Sequence, residues 1–130
     1  MAEIELAQLA QSKSSNADVK QFAQRLITDH TKNNQQLQAL AQQQHIALST
    51  ELNPEYQSQK WALEAESGSE FDCDYLRLMV EDHTKAIQKF QRMAQHSGDA
   101  AVKQYAQQSL PVLQSHLREA RQVQSEVTKE

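Results

Sequence analysis

The sequence is poor in everything that interrupts a helix. Two glycines and two prolines in 130 residues leave little material for the turns of a β-rich or loop-rich fold. Aromatic residues make up 5 %, and β-branched residues are few, so strands have little to be built from. The single cysteine, Cys73, cannot form an internal disulfide and gives no redox compartment. No apolar run approaches the roughly 20 residues of a membrane span, so no membrane span is expected. The formal net charge of −4 comes without a clustered basic face, which argues against a nucleic-acid groove. Neither a phosphate-binding glycine loop nor a nucleophile–base pair appears. The abundant residues are Gln, Ala, Leu, Glu and Lys, all good helix formers. Residues 1–130 suit one all-α domain with a sizeable core.

The few breakers divide the chain into helices. The first is expected at about residues 2–13; it begins at once with Ala2-Glu3-Ile4-Glu5-Leu6, so no leader segment is read. Ser14, Ser15 and Asn16 interrupt it, and the Asn16 side chain is suited to cap a second helix over about 17–44. A loop over 45–53 leads to Asn53-Pro54, a capping side chain followed by proline at the first helical position of a third helix, about 54–66. Ser67-Gly68-Ser69 ends it, and Ser69 with Asp72 resembles a capping box for a fourth helix that reaches about His96. Ser97-Gly98-Asp99 makes the next turn, with Asp99 as cap of a fifth helix over about 100–127. Short turns pair the first helix with the second, and the fourth with the fifth, as antiparallel hairpins.

Apolar residues recur at helical spacing. The second helix presents Val19, Phe22, Ala23, Leu26, Leu37 and Leu40, the fourth Leu76, Met79, Val80, Ile87, Phe90 and Ala94, and the fifth Val102, Ala106, Leu110, Leu113, Leu117, Ala120 and Val123. Two short echoes, Asp29-His30-Thr31-Lys32 with Asp82-His83-Thr84-Lys85 and a Val-Lys-Gln block at Val19 with another at Val102, are compatible with a duplicated hairpin and equally with chance in so restricted an alphabet.

Histidines interrupt these stripes. His30 and His83 sit at seam positions, and His116 lies one residue off its stripe beside Leu117. A buried imidazole is costly unless its nitrogens find partners. Counting at about 1.5 Å per residue from the two turns places His83 and His116 within roughly 5 Å of one level, and His30 and Glu3 within roughly 3 Å; Glu5 misses by roughly 6 Å and is the weaker acid. One layer thus gathers Glu3, His30, His83 and His116. Three imidazoles and a carboxylate suit a single divalent ion, Zn²⁺ or Fe or Mn. The alternative is a metal-free polar layer that only fixes helix register. Asp29 and Asp82 point about 100° away from their histidines; they are acceptors for histidines on neighbouring helices or, the preferred reading, surface charges.

The other singular residues read as structural. His45 and His96 fall at helix C-terminal ends, where an imidazolium suits the dipole. Cys73 reads as half-buried, Trp61 and Tyr56 as packing residues, and Pro111 as a kink inside the fifth helix, five residues before His116.

The runs Glu3 to Ala10, Val19 to Gln24 and Asp29 to Lys32, followed by Met79-Val80-Glu81-Asp82-His83 and Leu110-Pro111 to His116-Leu117, resemble the DUF4142 family over nearly the whole chain. That resemblance implies a ferritin-like four-helix bundle with an additional short helix. It also implies a bacterial, periplasmic or otherwise exported protein. The ferritin pattern of Glu-x-x-His pairs is missing: the residues three before the histidines are Ile27, Val80 and Leu113. Di-iron oxidase chemistry is therefore not expected. What remains is a metal-binding bundle, admitting a homo-oligomer, or a metal-free interaction or stress-protection bundle. An enzyme using an open metal position is a weaker third reading.

Overall fold

The computed structural model describes residues 2–43 and 54–127, with side chains from Ile4 and from Gln57 onward in those two stretches. Among the described residues there are five helices and no strand: α1 (Ala2–Lys13), α2 (Ala17–Gln43), α3 (Pro54–Glu64), α4 (Gly68–His96) and α5 (Ala100–Val127). None is long and apolar enough to cross a membrane.

The turns are made by side chains that take over orphan backbone N–H groups. Asn16 Oδ1 accepts from the amides of Asp18 (2.9 Å) and Val19 (3.2 Å) and starts α2. Asp99 Oδ1 does the same for Ala101 (2.9 Å) and Val102 (3.1 Å) at the start of α5. Both caps fall where the sequence predicts them. The α4 start differs. Its capping residue is Ser67, in extended conformation and without a side-chain bond, and Gly68 follows at φ +63°. The Ser69–Asp72 box does not form; Asp72 lies inside the helix and is buried. A left-handed residue makes the turn here, and only glycine adopts it without strain. The predicted Asn53 cap and the loop before it lie outside the described residues, as does His45.

The helices pack as expected from the short turns. α1 lies along α2, α4 lies along α5, and the two hairpins join through α2 against α5 and α1 against α4. α3 touches α1 and α4. It is tied to α1 by Lys60 with Glu5 (3.3 Å) and by Lys13 Nζ, which donates to the carbonyl oxygens of Glu64 and Glu66 at the α3 end. Among the described α3 side chains, Leu63 is the one that enters the core; that of Tyr56, also expected to pack, lies outside the described residues. Trp61, expected to pack, is 66 % exposed; the side of α3 that faces α1 and α4 is the Leu63 side.

The core is concentrated in the half of the molecule next to the α1–α2 turn. Leu6, Ala7, Ala10, Phe22, Leu26, Phe71, Leu76, Met79 and Ala120 are fully buried in it, while Cys73 is half-buried against it. Farther along, Leu37, Leu40, Ile87, Phe90 and Ala94 are only half-buried, because α1 is 12 residues long while its neighbours run 27 to 29. On α5 the buried positions are Ala106, Ser109, Leu113, His116, Ala120, Val123 and Val127. They alternate three and four apart, the spacing of a bundle seam. Ala106, Leu113, Ala120 and Val123 of the expected stripe are on this seam, whereas Leu110 and Leu117 are half-buried and their neighbours Ser109 and His116 take the seam positions. α5 runs through Pro111, which sits on its exposed side. Of the sequence echoes, the Val19 and Val102 blocks open the second helix of each hairpin, whereas the Asp29 and Asp82 blocks fall on α2 and α4, which are not corresponding helices.

Candidate metal centre

Three helices bring His30, His83 and His116 together. One candidate ligand nitrogen from each lies within 4.8 Å of the others. The ring centroids are 6.0 Å apart for His30 and His83, 5.6 Å for His30 and His116, and 5.5 Å for His83 and His116. His83 and His116 are buried and His30 is half-buried. The cause is register. Leu26, Met79 and Ala120 are each fully buried in the core and each lie four residues from the histidine of their own helix. Four residues are about one turn, so the histidines form the next layer above that apolar one.

Hydrogen bonds fix two of the three rings. His83 Nδ1–H donates to the Met79 carbonyl oxygen at 2.8 Å. A carbonyl only accepts, so Nδ1 carries the proton and Nε2 carries the lone pair of the neutral ring. His116 Nε2–H donates to Asp29 Oδ2 at 2.7 Å. Its Nδ1 is therefore the lone-pair nitrogen; it is buried and makes no hydrogen bond among the described residues. A neutral imidazole whose far nitrogen is held by a carbonyl or carboxylate is the arrangement that metal-binding histidines use, because it sets the ring's tautomer and orientation.

Burial holds the His116 imidazole below its usual pKa. The Asp29 bond pushes it back upward, and the neighbouring His83 and His30 lower it further. The neutral, ligand-competent ring is thereby favoured.

Asp29 belongs to a small network between α2 and α5. Arg25 Nε lies 3.6 Å from Asp29 Oδ2, Arg25 Nη2 donates to Ser115 Oγ at 2.7 Å, and Arg25 Nη1 pairs with Glu119 Oε2. The surface-charge reading of Asp29 is thus overturned: it points about 100° from His30, and α5 with His116 is what lies in that direction. Next to it an open groove of about 190 Å³ runs between α2 and α5, lined by Asp29, Asn33 and Gln36 on one side and Gln108, Ser109 and Val112 on the other. Ser109 Oγ donates to Asn33 Oδ1 across its floor at 3.4 Å. Neither Asn33 nor Ser109 stands out in the sequence; the strict three-four spacing of the α5 seam is the signal that would have marked Ser109.

Of the four candidate ligands read from the sequence, the structure brings the three histidines together. Glu3 is in α1, but its side chain lies outside the described residues. Glu5 faces Lys60 of α3 instead. His96 is exposed at the end of α4. The arrangement as described is a cluster of three imidazoles able to hold a metal ion.

No curated protein and no solved structure matches the chain. The model of one family, described as a domain of unknown function, DUF4142, matches residues 1–123. The chain belongs to the DUF4142 family.

Proposed function

We propose that the protein is a one-domain, ferritin-like helical bundle that binds a single divalent metal ion, Zn²⁺ or Fe²⁺/Mn²⁺, at a site formed by His30, His83 and His116, with Glu3 as the fourth ligand. The observation that carries this reading is the pairing of tautomers with position. His83 and His116, both buried, each engage one ring nitrogen in a hydrogen bond, to the Met79 carbonyl and to Asp29, and one candidate ligand nitrogen from each of three histidines on three helices lies within 4.8 Å of the others. Tetrahedral Zn²⁺ with bonds of about 2.1 Å needs ligand nitrogens about 3.4 Å apart, a spacing reached by modest ring rotation. A buried layer serving only to fix register would satisfy its nitrogens internally, whereas His116 Nδ1 makes no hydrogen bond among the described residues. The same donor set with a displaceable ligand would give a Lewis-acid centre; binding is the function proposed. A periplasmic or exported setting fits the family and is part of the proposal. Elemental analysis of protein purified without added metal tests it. About one equivalent of Zn, Fe or Mn per chain, lost from His83→Ala, supports the site; wild-type protein that is metal-free and cannot be loaded refutes it.

A further inference from the structure

We propose that the polar groove between α2 and α5 is the passage by which a divalent cation reaches and leaves the histidine cluster. This rests on the metal-binding reading above and says which way the site opens. Below the cluster the route is closed by Leu26, Met79 and Ala120, all fully buried. His83 and His116 are themselves 0 % and 1 % exposed, which leaves the α2 side, where His30 is half-buried, as the open one. The groove, by contrast, shares a wall residue with the cluster: Asp29 lines it and holds His116.

The lining supports the same direction of travel. Asn33, Gln36, Gln108 and Ser109 carry neutral oxygen atoms, and Asp29, which holds His116, adds a carboxylate. These are ligands that a hydrated cation tolerates on its way to softer imidazoles. The floor is informative because of its place. Asn33 is three residues past His30 and Ser109 lies on the buried α5 seam, 5 % exposed. An apolar pair there would close the seam and add about 25 cal/mol for each Å² buried. The chain instead keeps an amide about one turn past His30 on α2 and a hydroxyl two turns before His116 on α5. Lys32 at the rim is the one cation in the lining and opposes arrival; it is exposed, so bulk solvent screens it.

The test measures rates as well as affinity. Zn²⁺ association by stopped flow and Zn²⁺ loss to excess EDTA are compared in wild type, Asn33→Leu/Ser109→Val, which seals the floor, and Gln108→Trp, which obstructs the exposed rim without entering the core. A passage requires both rates to fall together by about tenfold or more with Kd nearly unchanged. Lys32→Glu should speed association at low ionic strength and lose that advantage in high salt. Unchanged rates in folded, sealed variants would overturn the passage and leave the metal site standing, with the half-buried His30 side as the route. Absence of Zn²⁺ binding by the wild type would overturn both.

Discussion

Asp29 accepts a hydrogen bond from His116 at 2.7 Å although 87 residues separate them in the chain, and it stands one residue before His30. One helix turn of α2 thus supplies a ring of the cluster and the anchor of a second ring on α5. Removing the anchor should act on binding through His116. Asp29→Ala is expected to weaken Zn²⁺ affinity by about 10–100-fold, and Asp29→Asn by less, because a carboxamide oxygen still accepts from Nε2. Competition with a chromophoric chelator measures both; equal, unchanged affinities would mean that the bond does not orient the ligand.

Acid should act on the metal-free fold through the same ring. His116 is held below the usual imidazole pKa of 6.5 chiefly by burial. The unfolded chain therefore takes up its proton first as pH falls. This residue's contribution is undiminished above about pH 6.5 and is lost progressively as pH drops from there toward the lower folded value. Urea melts of metal-free protein at several pH values should show stability declining over that window, and His116→Asn should flatten the slope. A stability that rises on acidification would contradict the burial of a neutral ring.

The two glycines should behave oppositely. Gly68 sits at φ +63° with nothing within 4 Å of the place a Cβ would take, and Gly98 has the same free space without a left-handed backbone. Gly68→Ala is expected to cost about 1–2 kcal/mol from backbone strain alone. Gly98→Ala should be neutral or slightly stabilising. Thermal melts of the two variants decide it.

Much of this arrangement is legible in the sequence, and the exceptions have physical causes. Asn16 and Asp99 announce their helices because a short acceptor side chain before a helical run has few other uses. Once both turns are placed, counting residues along rigid helices brings His83 to the level of His116 and His30 to that of Glu3, since rise per residue varies little; that the two hairpins meet at the same height is set by the packing of α2 against α5. What is not legible depends on neighbours. His116 reads as off the stripe because Leu110 and Leu117 are the larger apolar residues, yet the seam prefers the strict spacing that admits Ser109 and His116. Asp29 reads as a surface charge because nothing in α2 says which helix stands beside it. Trp61 reads as packing because its size suggests burial, whereas Leu63 takes that position on α3.

That last contrast is measurable. Leu63→Ala should destabilise by about 2–3 kcal/mol, since a buried side chain is removed. Trp61→Ala should stay within about 0.5 kcal/mol, as exposed positions usually do. The reverse order in chemical denaturation would move Trp61 back into the core.

The most direct measurement is a thermal-melt series with and without Zn²⁺ on the wild type, His30→Ala, His83→Ala, His116→Ala and the exposed His96→Ala. An ion shared by the three histidines should stabilise the wild type by about 2.7 kcal/mol at a free concentration a hundredfold above Kd. Each of the three cluster variants should lose most of that increment, and His96→Ala should keep it. Binding should also weaken on acidification, because protons compete with the ion for imidazole nitrogens. A wild type whose melting is the same with Zn²⁺, Mn²⁺, Fe²⁺ or a chelator, and cluster variants destabilised equally with and without metal, would contradict the metal site and leave the histidines as a polar layer of the fold.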